Sequence, residues 1–279
     1  MGAVFGPAGN SESFNQKYKS TVKAPEWLKD MGLTAYEYQC GHGVVIGQDT
    51  ARRLGELMAR SGIRLSLHAP YYIVLTNPDS FDKNVEHLRK SCRAARWMGA
   101  GRVVVHTGFA GKDGREAAFR TAADTLTRAL EILRSEGYGD ITLCPEVMGK
   151  ISQLGTLEEV LELCALDREL TPCVDFGHLY ARTLGEFAGE EHFTRACEMM
   201  EAKIGLERAR RLHIHFSRIE YRASGEYRHL TLEDKQFGPD FGPLASVLKP
   251  RGYEPVIICE SRGTQAEDAC RLRDTWEDV

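Results

Sequence analysis

Eight short runs rich in apolar, β-branched or aromatic residues recur along the chain. They are residues 3–9, 33–40, 63–70, 102–108, 141–148, 170–177, 211–217 and 255–261. Between them lie stretches whose apolar residues return at three and four, the period of an amphipathic helix. Strand and helix alternating eight times predict a parallel sheet closed on itself, a single-domain (β/α)8 TIM barrel over residues 1–279, better than an open doubly wound sheet. The chain is 279 residues long, and one barrel of this kind uses about 250.

The helical stretches include 12–32, 50–62, 80–100, 114–137, 156–166 and 192–210. Several end in glycine, at Gly62, Gly99 and Gly137, as a helix C-cap favours. Thr156 followed by Glu159 reads as a capping box. The turn GPAGN after the first run lacks the G-x-G-x-x-G spacing of a dinucleotide site. The least helical connection, 219–243, follows the seventh run, and a loop of that length in a compact barrel is expected to carry function.

Composition is that of a globular protein, 42% hydrophobic and 27% charged. A net charge of −4 argues against a surface that binds nucleic acid through clustered Lys and Arg, but leaves room for a local site whose positive charge comes from metal ions. The eight cysteines form no C-x-x-C pair. The opening MGAVFGPAGN has neither the basic nor the apolar segment of a secretory leader, and Gly6 stands where a myristoylation signal needs Ser or Thr. No run approaches the roughly 18 apolar residues of a membrane span. The expected compartment is the reducing cytoplasm.

The apolar part of six of these runs ends in, or one residue before, a side chain able to ligate metal or move a proton: His68, His106, Glu146, Asp175, His213 or His215, and Glu260. Singly, a histidine after an apolar run is ordinarily a hydrogen-bonded rim residue, and an Asp at a strand end is ordinarily a helix N-cap. A closed parallel barrel, however, carries all its strand ends to one rim. His178 and His229 fall on loops at the same end. Imidazoles mixed with carboxylates suit zinc or manganese. Such a set can activate water against a phosphate, or hold one ion that polarises a sugar carbonyl.

The strings LHAPYYI, VVVHTG, CPE, CVDFGHLYAR, HIHFS, EYRH and ICES, in this order, resemble the endonuclease IV family of apurinic/apyrimidinic endonucleases within the xylose-isomerase-like barrel superfamily. The resemblance implies a zinc-dependent hydrolase with up to three zinc ions on the rim, manganese being the alternative, that cleaves DNA at abasic sites through a metal-bound hydroxide. It implies that His68 and His106 bind one ion and that Glu146, the central catalytic ligand, bridges it to a second. Asp175, the strand-seven histidine and Glu260 complete the second, and His178 and His229 hold the third. Alignment of HIHFS favours His213 over His215, although the two point to the same face of a strand and alternation does not separate them. Where the family carries Asp, this chain has Tyr227, with Glu226 beside it as the substitute ligand. Tyr71 matches a DNA-contacting tyrosine. The loop GHGVVIGQ is short and lacks the arginine that the family inserts into the DNA stack.

Arg182, Arg218, Arg222 and Arg228 lie on loops after the sixth and seventh runs and are candidates for holding phosphate. Asp240 either orients a ligand or forms a turn. The rival reading is a sugar isomerase or epimerase of the same superfamily, acting on a small sugar or sugar phosphate through one ion on Glu146, Asp175, His213 or His215, and Glu260. A third is a catalytically silent barrel that binds damaged DNA or a sugar phosphate.

Overall fold

The computed structural model describes residues 2–279. Its strands are β1 Val4–Pro7, β2 Ala35–Gln39, β3 Arg64–His68, β4 Arg102–Val105, β5 Thr142–Pro145, β6 Cys173–Asp175, β7 His213–Phe216, β8 Arg218–Arg222, β9 Gly225–Leu230 and β10 Val256–Cys259. Eight are parallel and fall into two half-barrels, β2-β3-β4-β5 and β1-β10-β7-β6. Single bridges, Ala8 with Glu37 and Glu146 with Cys173, close the circle. The first seam is tight: a Cβ on Gly6 would lie 1.7 Å from the Ala35 carbonyl oxygen, so only glycine fits there.

The alternating faces of the strands do different work. Outward residues such as Leu67, Val103, Val105, Ile214 and Phe216 pack against the helices in one large apolar shell. Fully burying a side chain of that size contributes about 1.5–3 kcal/mol. The inward faces form only two small apolar clusters, Ala8, Ala35, Val256 and Ile258, and Val104, Cys144 and Cys173. The rest of the barrel interior is polar, with Glu37, Ser66, His213 and His215 buried in it.

Helices cover the strands where the periodicity places them. The box at the start of Leu157–Ala165 forms, with Glu159 N donating to Thr156 Oγ1 at 3.1 Å and Thr156 N to Glu159 Oε2 at 2.9 Å. Two expected single helices are each split. Residues 12–32 give Glu12–Lys17 and Ala24–Asp30, because Pro25 suits a first turn and not a helix interior. The stretch 192–210 gives Glu190–Ile204 and Leu206–Ala209, divided at Gly205. The connection after β7, expected as an irregular loop, is largely the antiparallel hairpin β8–β9. Among the described residues no helix is long and apolar enough to cross a membrane.

Candidate metal centre

Asp175 shows how the local fold builds the site. It ends β6 and caps the helix Phe176–Arg182, its Oδ1 accepting from His178 N at 2.7 Å. The other oxygen, Oδ2, is fully buried and has no hydrogen-bond donor. His178 Nδ1 lies 3.3 Å from it but donates to the Val147 carbonyl at 2.8 Å. A carboxylate oxygen left bare inside a protein is costly, and a cation beside it removes that cost. Burial pushes the Asp175 carboxyl up to about 6, against the charge of His178.

Glu146, one residue past β5, is the hub. Its Oε2 is 3.3 Å from His68 Nε2 and 3.1 Å from His106 Nε2, and its Oε1 is 2.9 Å from His215 Nδ1. Burial alone would raise its carboxyl, but the charge of His215 and hydrogen bonds from His106, His215 and His68 hold it well below the usual range. His68 Nδ1 donates to the Ala69 carbonyl at 2.8 Å, which leaves Nε2 toward Glu146. Burial would lower His68, but the hydrogen bond and charge of Glu146 outweigh it and raise the imidazole to about 9.

The potential ligand atoms fall into overlapping groups at the rim: His68, His106 and Glu146; Glu146, Asp175, His215 and Glu260; His68, His215 and Glu260; and His178, His229 and Glu260; a further group, Cys173, His213 and His215, lies deeper. Glu226 joins the group of His178, His229 and Glu260, with Oε2 3.5 Å from His178 Nε2 and Oε1 3.8 Å from His229 Nε2. It is carried there by β9, and Gly149 makes room for it, since a Cβ at that residue would lie 2.7 Å from Glu226 Cβ. Tyr227 points away, 47% exposed beneath the Arg222 guanidinium. Nitrogen and oxygen donors in this mixture, with an orphaned carboxylate oxygen among them, fit divalent zinc or manganese.

The two strand-seven histidines separate. His215 faces the Glu146, Asp175 and Glu260 carboxylates, whereas His213 lies a layer deeper with Nε2 2.8 Å from Glu37 Oε2. The structure turns His215, rather than the expected His213, toward the three carboxylates, because two residues along a strand share a face but not a height. Glu37 was missed by the sequence reading. It is fully buried, accepts from Ser66 Oγ at 2.9 Å, and has Oε1 3.0 Å from His215 Nε2. Its signal was a carboxylate in the middle of the apolar run LTAYEYQC. A carboxylate behind a ligating imidazole fixes its tautomer and direction.

A cavity of about 740 Å³ opens over these residues, its walls including His42, Tyr71, Phe109, Lys150 and Glu226. Tyr71 stands at its mouth with its hydroxyl 2.6 Å from His42 Nδ1. Two expected phosphate-binding arginines do not face it. Arg182 donates to the carbonyls of Met148, Lys150 and Gln153 at 2.5, 3.2 and 3.2 Å, stapling the loop after β5. Arg218 is held by the Phe237 carbonyl at 2.6 Å and by Asp240. Arg228, paired with Glu220 at 2.7 Å, lines a side cleft with His229, Glu260 and Arg262.

The chain is 32% identical over 260 residues to an uncharacterized protein of Methanocaldococcus jannaschii, covering 92% of this chain and 91% of that protein. It is 30% identical over 180 residues to a probable endonuclease 4 of Geobacillus sp., covering 62% of this chain and spanning 58% of the length of that relative. Endonuclease IV from Thermus thermophilus superposes with a TM-score of 0.70 at 24% identity, over 93% of this chain and 95% of that one. A D-tagatose 3-epimerase-like protein superposes with a TM-score of 0.69 at 22% identity, over 93% of each. These two structures share the fold. The profile described as xylose isomerase-like TIM barrel matches residues 25–276, and the chain belongs to that family.

Proposed function

We propose that this protein is a metal-dependent phosphodiesterase of the endonuclease IV type that cleaves DNA at apurinic/apyrimidinic sites. The observation that carries this reading is the presence of two further groups, His68 with His106 and His178 with His229 and Glu226, on either side of the four-residue group around Glu146. One ion polarising a carbonyl needs only the four. Several divalent ions, zinc foremost, would together neutralise charge on a phosphate and lower the pKa of water.

Glu146 binds on both sides and sets the spacing of the two halves. Glu37 lies behind the cluster with Oε1 3.0 Å from His215 Nε2. Arg228 and Arg262 offer a phosphate-binding edge at the side cleft, and the half-exposed rings of Tyr71 and Phe109 offer stacking faces at the mouth. Incubation of the zinc-loaded protein with a duplex holding one abasic site is expected to give strand cleavage that Glu146→Gln loses by at least about a thousandfold. Equal cleavage by the two proteins would sink the reading.

The second reading, a sugar epimerase, is favoured by the completeness of Glu146, Asp175, His215 and Glu260 as a single-ion set. Elemental analysis separates the two. Three zinc ions per chain support phosphoryl chemistry. One manganese ion, retained in His178→Ala and His229→Ala, supports the epimerase.

A further inference from the structure

With Arg182 and Arg218 tied to protein partners, the cation that faces the metal centre has to be sought elsewhere. Among the residues lining the cavity over the ligand groups, Lys150 is the single Lys or Arg. Three carboxylates, Glu146, Glu226 and Glu260, line the same cavity, yet among the described residues the Lys150 ammonium makes no hydrogen bond or ion pair. Those carboxylates face His106, His178 and His229 instead.

The backbone beneath this free ammonium is pinned. Lys150 N donates to Gln153 Oε1 at 3.2 Å, and the Lys150 carbonyl accepts from Gln153 N at 3.0 Å and Arg182 Nη1 at 3.2 Å. The hairpin holds the same loop from its other side, Ile151 N donating to the Ser224 carbonyl at 3.0 Å and Glu226 N to the Gly149 carbonyl at 3.0 Å. Gly149 packs directly on two candidate ligands, since a Cβ there would lie 2.7 Å from Glu226 Cβ and 2.8 Å from His178 Cδ2. Lys150 therefore starts one Cα step, about 3.8 Å, from a residue that touches the outer ligand group. A flexible stem fixed at its root and free at its charged tip is suited to meet a bound anion. Height decides which anion it meets. Glu146, Asp175 and His178 are buried at the floor of the cavity, whereas Lys150 is exposed at its mouth.

We infer that Lys150 determines specificity at the proposed phosphodiesterase site, its ammonium holding the phosphate next to the one that reacts, so that the substrate is an oligonucleotide strand and not an isolated diester. This rests on the phosphodiesterase reading. Ions among the buried ligands would take the reacting phosphate, which leaves the ammonium at the mouth for its neighbour along the strand. A chain of net charge −4 has little general attraction for a polyanion, so one well-placed cation carries more of the contact.

The probe is a fluorescein-labelled duplex with a tetrahydrofuran abasic residue, already nicked on the 5′ side of that residue so that nothing is left to cut. Its affinity for the zinc-loaded full chain is read by fluorescence anisotropy across a salt series. Lys150→Gln is expected to bind at least about tenfold more weakly and to flatten the dependence of log K on log salt by about one unit, with Lys150→Arg restoring most of both. Neutral methylphosphonates then replace the phosphates one at a time. At one position beside the nick the parent should lose at least about fivefold in affinity and Lys150→Gln should lose nothing. The inference is overturned if the parent does not bind the duplex, if Lys150→Gln keeps the parent's affinity and salt slope, or if it suffers the parent's loss at every methylphosphonate. Cleavage of the uncut duplex is scored separately. Binding through Lys150 without cutting refutes the hydrolytic reading alone, and cutting with no dependence on Lys150 refutes the inference alone.

Discussion

At the scale of single residues, the pairing of His215 with Glu146 and of His213 with Glu37 assigns them different duties. His215→Ala is expected to lose the ion held by the central group, and His213→Asn to keep it, as read by elemental analysis after dialysis. Loss in both, or in neither, would show the two layers to be less distinct than their partners suggest. The site also predicts a direction with pH. Burial opposes the charged form of His68 and of His178, yet Glu146 in one case and Asp175 in the other raise each imidazole to about 9. Protons bound there in the metal-free protein must leave when an ion enters. Metal affinity is therefore expected to weaken as pH falls from about 9 to about 6.5, by up to about tenfold per unit for each proton displaced. The same protons stabilise the metal-free fold most below the ordinary histidine value of 6.5, and that stabilisation is lost as pH rises through about 9. Chelator competition across this range checks the sign, and a flat profile would refute it. The ligand types were legible in the sequence because each closes an apolar run. The height of His213 was not, since alternation specifies a face and leaves depth to the stagger of neighbouring strands.

At the scale of elements, the hairpin β8–β9 brings Glu226 and His229 over the barrel mouth. Its strands carry polar residues on both faces and a register shift between Glu220 and Tyr221, so no clean alternation announces them. The Ser224-Gly225 turn was the available signal. Gly225 has φ +91°, and a Cβ there would lie 2.4 Å from the Gly149 carbonyl oxygen. Gly225→Ala is expected to cost about 1–3 kcal/mol and to lift the hairpin from the loop after β5. Metal analysis should show the ion of His178 and His229 lost first, with the remainder retained. Long helices such as Phe81–Met98 and Arg115–Ser135 were plain from periodicity, whereas the breaks at Pro25 and Gly205 are local backbone effects inside otherwise continuous patterns.

At the scale of the whole molecule, two half-barrels meet at seams of one bridge each. Gly6→Ala places a methyl group against the Ala35 carbonyl at the first seam, and the contact involves backbone on both sides. The expected result is a fall in the thermal midpoint of at least about 10 °C by circular dichroism, or failure to accumulate as soluble protein. A midpoint within about 2 °C of the parent would mean that the seam opens without cost. Closure itself was legible from the count of eight runs, but the division into halves was not, because it depends on which backbone pairs approach closely enough to bond. The polar interior has a further consequence. Apolar packing is concentrated between strands and helices, and the inward faces contribute only small clusters. Residues that choose the ligand are thus largely distinct from those that hold the chain together. Successive substitutions along the inner wall can then redirect the chemistry while the scaffold persists, which gives a barrel of this design an evolutionary latitude that a solidly apolar interior would deny it.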